Sequence, residues 1–186
     1  MVFVNEVAPP WFDVALANFG VPKYGALLSG QLVYPNADAS YGWHAVCTPA
    51  DCSFGCLPFN ESTPPLVLKK EPGKRYIMLL DRGPREGTVD LKKPCYFLDK
   101  AWNSQLAGAD AVLVVNDREG DLSTAVVPQD EGAARQLQDL TISAGLISQQ
   151  DGASLKALLK KGPVTVALNW TDLIPKAQKA GGRLAR

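Results

Sequence analysis

"CYFLDKAWNSQLAGADAVLVVND", residues 95–117, changes its hydrophobic period halfway along. Up to Leu106 the apolar residues Leu98, Trp102 and Leu106 recur every four positions, which sets them on one stripe of a helix. Gly108 is a natural stop, and "ADAVLVVND" (109–117) follows as a short apolar run of strand length. A helix that feeds directly into a buried strand belongs to an α/β arrangement with partly parallel pairing.

The flanking segments extend the pattern. Upstream, "RYIMLL" (75–80) is a short apolar run closed by the polar turn Asp81-Arg82-Gly83, which suits a buried strand. Downstream come a short helix near 131–138 and a third strand at "TISAGLIS" (141–148). Ser148 and Asp151 have the spacing of a helix cap, with Leu155, Leu158 and Leu159 as the apolar face and Gly162 as the end. "PVTVALNW" (163–170), rich in β-branched residues, is the last strand. Residues 1–35 read as β-rich, with "SGQLVYP" (29–35) the clearest strand and Gly20, Pro22, Gly25 and Pro35 as turn signals. Residues 36–65 are irregular. No linker or repeat divides the chain, so one mixed α/β domain is expected over 1–175, with "KAQKAGGRLAR" (176–186) as a basic tail or the start of a linker.

The 186 residues are enough for a single core, and 46% hydrophobic with 20% charged residues is a globular composition. Nineteen basic residues balance nineteen acidic ones, which gives no reason to expect a nucleic-acid partner. No stretch approaches the ~20 apolar residues of a spanning helix, and the start lacks the basic and apolar regions of a signal peptide. Four cysteines, Cys47, Cys52, Cys56 and Cys95, and two sequons at Asn60 and Asn169 nevertheless point to the secretory pathway. Together these features suggest part of a longer secreted or membrane-anchored protein.

Catalytic chemistry finds little to use. The single histidine, His44, sits among cysteines, and "CTPADCSFGC" (47–56) lacks a standard zinc spacing, so disulfides are favoured over a metal and no cofactor is called for. Neither Walker nor Rossmann glycine spacing occurs. Asp81 and Asp117 follow strands, where α/β ligand sites gather, although short acidic residues also cap turns routinely, and we favour that reading. Arg82 reads equally well as a five-donor fork for a carboxylate or peptide carbonyl and as a surface ion pair with Asp81 or Glu86. Four cysteines allow three pairings.

"ANFGVPKYGALLSGQLVYP" (17–35), "LLDRG…CYFLDKAWNSQLAGADAVLVVND" (79–117) and "ISAGLISQQDGASLKALLKKGPVTVALNW" (142–170) together resemble the protease-associated (PA) domain, over nearly the whole chain. "ANFGVPKYG" is most similar to the luminal N-terminal domain of plant and algal vacuolar sorting receptors. The resemblance implies a compact mixed β-structure with flanking helices, and a non-catalytic module that recognises sorting peptides on soluble vacuolar cargo. It places such a domain in the Golgi and prevacuolar lumen, within a larger membrane receptor. An accessory domain of a protease, shaping substrate access, is the alternative that the same family implies.

The family's cargo loop is Arg-Gly-Asp-Cys, and Arg82, Gly83 and Cys95 match three of its four positions. Eleven residues, "PREGTVDLKKP", separate Gly83 from Cys95 where the family has one; the family's acid has no clear counterpart, with Asp90 only a substitute for it. A shallow groove is therefore expected between Asn18, Phe19, Gly20, Tyr24 and Gly25 on one side and Arg82, Gly83 and Asp117 on the other. Backbone groups at Gly20 and Gly25 are expected to be accessible to the peptide. Release in an acidic compartment would draw on carboxylates or His44. "CLPF" (56–59) resembles the family's upstream cysteine segment, which implies Cys56–Cys95 and Cys47–Cys52, with Cys52–Cys95 as the rival.

Overall fold

The computed structural model describes residues 2–4, 11–38, 47, 50–83, 95–120, 122 and 131–171. Its strands are β1 (Val2–Val4), β2 (Trp11–Phe12), β3 (Ala15–Gly20), β4 (Leu27–Val33), β5 (Tyr76–Asp81), β6 (Ala111–Val115), β7 (Ser143–Ile147) and β8 (Thr165–Asn169). The helices are α1 (Phe97–Leu106), α2 (Glu131–Asp139) and α3 (Gln149–Leu159). Among the described residues, two 3-10 turns, Ala50–Phe54 and Phe59–Glu61, lie in the cysteine-bearing stretch.

All eight strands form one sheet, in the order β2-β1-β8-β4-β5-β6-β7-β3. β4, β5, β6 and β7 run parallel, and the remaining pairs are antiparallel. β2 and β3 stand at opposite edges of the sheet, yet only Asp13 and Val14 separate them in the chain. Three residue steps span at most about 11 Å, whereas eight flat strands would be about 34 Å wide. The sheet must therefore curl until its edges approach, as a half-barrel.

Alternation along the central strands builds two cores. Met78, Leu80, Val112, Val114 and Leu146 face one way, with Leu98 and Ala101 of α1 packed over them. Ile77, Leu79, Leu113, Val115 and Ile147 face the other, against Leu155 and Leu159 of α3. Strands covered on both faces can be apolar throughout, which explains why β6 and β7 are buried at every position. The Ser148 hydroxyl oxygen accepts the Asp151 N–H at 3.0 Å and caps α3, as its spacing predicts. At the end of α1, Gly108 has φ +99°, a conformation that side chains disfavour.

The α1 stripe needs one correction. Leu98 is buried, but Leu106 is 61% exposed, and the inward face is completed by Lys100, Ala101, Asn103 and Ser104. The helix is rotated from the stripe its large apolar residues suggest, because polar groups beneath it are matched by its own polar side chains. Asn103 Nδ2 donates to the Gly55 carbonyl at 2.9 Å and Lys100 Nζ to the Gly83 carbonyl at 2.7 Å, while Ser104 Oγ is satisfied within α1 by the Lys100 carbonyl at 2.7 Å.

Candidate functional site

Four parallel strands end along one edge, and each end carries a polar side chain: Tyr34 after β4, Asp81 and Arg82 at β5, Asn116 and Asp117 after β6, and Ser148 after β7. Asp81 is held from two sides. Its Oδ2 accepts the Tyr34 hydroxyl at 2.7 Å, and its Oδ1 accepts the Lys156 ammonium from α3. Asn36 Nδ2 donates to the Tyr34 oxygen at 3.2 Å, and Lys156 lies 4.5 Å from the Tyr34 ring centroid. Burial first, and then the Asp81 hydrogen bond and charge, raise the Tyr34 pKa. Burial pulls Lys156 down, but its hydrogen bond and charge contact with Asp81, helped by Tyr34, leave it above the ordinary lysine value. Asp81 is thus a tie between α3 and the strand ends.

Arg82 is fixed at both backbone and side chain. Its N–H donates to the Val115 carbonyl at 2.9 Å, extending the β5–β6 pairing by one residue. Its Nη1 donates to Asn116 Oδ1 at 2.8 Å, and its guanidinium carbon lies 5.4 Å from the Phe97 ring centroid. Asp117 Oδ1 is 3.6 Å from Arg82 Nε and 3.8 Å from Arg118 Nε. The Arg82 side chain is 28% exposed, so the fork is braced without being enclosed. Asn116 and Asp117, rather than Asp81, are its partners; Glu86 lies outside the described residues.

Cysteine chemistry closes the same corner. Cys56 is bonded to Cys95, the residue before Tyr96 at the head of α1, and Cys47 is bonded to Cys52. These are the pairings that the resemblance implies. Beside Cys56 lies Lys100, which sequence reasoning missed; it is 1% exposed, with its Nζ 3.8 Å from the Cys56 sulfur. It donates to the carbonyls of Phe54, Asp81 and Gly83. Its only sequence signal was its place one turn after Phe97, between Leu98 and Ala101, on the inward side of α1.

The other half of the expected groove lies elsewhere. Strand register puts Gly20 level with Ser143, Ala111 and Ile77, whereas Arg82 is five residues beyond Ile77. Five residues of strand are about 16 Å, and three inter-strand steps separate the two laterally. Arg82, Gly83 and Asp117 therefore gather at one end of the sheet, and Asn18, Phe19, Gly20, Tyr24 and Gly25 at the other. Phe19 is 4% exposed and packs in the core, so it offers no surface to a ligand. Gly20 is crowded by protein, since a Cβ there would lie 2.2 Å from the Ile142 carbonyl oxygen. The Gly25 N–H donates to the Trp170 carbonyl at 3.0 Å and so is not available to a peptide. Asn18 is exposed, and Tyr24 is 60% exposed.

Asn60 is exposed on the second 3-10 turn, whereas Asn169 ends β8 with its Oδ1 accepting from Thr171 N–H and Oγ1. His44, Asp90, the stretch 84–94 and the tail 176–186 lie outside the described residues. Among the described residues, no group of three His, Cys, Asp or Glu could hold a metal, and no helix is long and apolar enough to cross a membrane.

Comparison with known proteins bears on this arrangement. The chain is 36% identical over 166 residues to vacuolar-sorting receptor 1 of Pisum sativum, covering 88% of this chain and 22% of that protein. It is 33% identical over 166 residues to vacuolar-sorting receptor 2 of Arabidopsis thaliana, covering 88% and 23%. It thus spans less than a quarter of these relatives' length. Among solved structures, a zinc aminopeptidase from Bacillus subtilis superposes at a TM-score of 0.47 and 17% identity, over 89% of this chain and 30% of that one. An aminopeptidase from Aneurinibacillus sp. strain AM-1 gives 0.42 and 22%, over 90% and 32%. The PA domain family matches residues 28–155, a run from β4 into α3 that includes the Arg82 corner and the parallel core. This chain belongs to the PA domain family.

Proposed function

We propose that this PA domain is a non-catalytic module that binds sorting determinants on soluble vacuolar cargo, anchored at the Arg82 corner. The alignment with proteins named vacuolar-sorting receptors, over 88% of the chain, carries this reading. Its chemistry is that of Arg82, a guanidinium braced by Asn116 and Phe97 and still open to solvent. A charge-assisted hydrogen bond from such a fork to a peptide carboxylate or carbonyl contributes about 1.5–3 kcal/mol. Gly83 and Asp117 flank it, and Asn18 and Tyr24 form a second contact that only an extended ligand reaches.

Two disulfides fit an oxidising compartment, and we place the domain in the lumen of the secretory and prevacuolar pathway, with Asn60 and Asn169 as glycan acceptors. Calorimetry of the oxidised chain with sorting peptides of two lengths tests the reading. Peptides of about fourteen residues span the two contacts, and those of about four do not. Tyr24→Ala should weaken only the longer series. Absence of binding to either series at millimolar peptide overturns the proposal.

A further inference from the structure

Among the described residues, Lys100 is the only charged side chain in the interior. A lysine ammonium carries three donors and no acceptor, and burying it is costly unless those donors are used. Here three backbone carbonyls converge on it: Phe54 O, Asp81 O at 3.2 Å and Gly83 O at 2.7 Å. They belong to three segments, namely the first 3-10 turn, the end of β5, and the lip beyond it. The Phe54 ring lies 5.7 Å from the nitrogen, and the Cys56 sulfur 3.8 Å.

Two of these carbonyls, Asp81 and Gly83, flank Arg82. The same helix face carries Phe97 one turn earlier, under the Arg82 guanidinium. One turn of α1 thus meets both the Arg82 side chain and the carbonyls of the residues on either side of it. A core role alone would need only the aliphatic stem, which methionine supplies; the convergence of three carbonyls requires the ammonium.

We propose that Lys100 is the positioning residue of the Arg82 lip, its ammonium clasping the backbone on both sides of Arg82 so that the guanidinium is presented to the peptide. This rests on the reading of Arg82 as the binding arginine. The clasp depends on protonation, because a neutral amine has two hydrogens for three carbonyls. Burial lowers the Lys100 pKa to about 7, while the charges of Asp81, at the end of β5, and Asp99, on α1 itself, oppose the shift. Asp81 is in turn tied to Lys156 of α3 and to Tyr34, and Cys56 on the remaining side is bonded in a disulfide. The clasp is therefore kept in acid, where release would draw on carboxylates or His44 instead, and loosens as pH rises past neutrality.

Lys100→Met, compared with the parent chain by NMR and by peptide calorimetry, tests the proposal. The Arg82 Nε–H signal, shifted by the Phe97 ring in the parent, should move towards its value in an unstructured chain. Sorting-peptide affinity should fall about tenfold or more. A variant that keeps both the signal and the affinity overturns the clasp. If the parent itself binds no sorting peptide, the receptor reading fails, while the Arg82 signal still decides the role of Lys100. Should the variant not fold, titration of the parent serves instead: Lys100 should titrate well below the other lysines, with Arg82 and Gly83 signals moving at the same midpoint. Lip signals that ignore the state of Lys100, or a Lys100 that titrates with the exposed lysines, overturn the proposal.

Discussion

The guanidinium of Arg82 rests over the ring of Phe97, 5.4 Å from its centroid, and the two residues come from different elements, the β5 exit and the first turn of α1. A cation over an aromatic face at a partly exposed site contributes about 0.5–1 kcal/mol. Phe97→Leu keeps an apolar side chain at this partly buried position and removes the ring face. It should leave the thermal midpoint within a few degrees of the parent and weaken peptide binding roughly two- to fivefold. Unchanged affinity would show that the ring does not help to present Arg82.

Asp81 gives a pH dependence with a defined sign. Tyr34 and Lys156 both have folded pKa values above their ordinary ones, so their stabilisation is full below those ordinary values, near pH 10. It is lost as pH rises through the folded values. Asp81→Asn removes the charge that holds both, and should cost about 1–3 kcal/mol in urea unfolding at pH 7. Between pH 8 and 11 the parent should lose more stability than the variant; parallel curves would show that Asp81 does not hold the two protons.

The two disulfides close loops of unequal length, with sequence separations of 39 for Cys56–Cys95 and 5 for Cys47–Cys52. On loop-closure entropy, removing them as serine pairs should cost about 4 and about 2 kcal/mol respectively. Equal losses would mean that the ordering of the unfolded chain is not what the long bridge contributes.

Gly152 lies on the face of α3 that meets β6, where a Cβ would fall 2.2 Å from Val115 Cγ1. Helix propensity favours Gly152→Ala by about 1 kcal/mol, whereas overpacking costs roughly 1–3 kcal/mol. The contact should win, lowering the thermal midpoint, and adding Val115→Ala should recover part of the loss. A stabilised single variant would show that α3 can move away from the sheet.

Much of this architecture was legible because its signals are local. The change of period at Gly108, the Ser148 cap and the apolar runs of β5 and β6 each lie within one element and its neighbours. Lys100 was not legible: its acceptors lie 17, 19 and 46 residues away, and a lone lysine on a helix reads as solvated. The Asp81 tie has the same character, reaching Tyr34 across 47 residues and Lys156 across 75. The split between Arg82 and the 18–25 loop follows from the antiparallel docking of β3 on β7, and an alternating pattern carries no record of register.

Arg82 is the residue on which the receptor reading depends, and calorimetry of the oxidised chain against Arg82→Ala tests it most directly. With sorting peptides near physiological salt, the parent should bind and Arg82→Ala should bind about tenfold or more weakly, with the Cys56–Cys95 and Cys47–Cys52 bridges intact in both. Equal affinity of the two proteins would contradict the account and move the peptide site away from the end of β5.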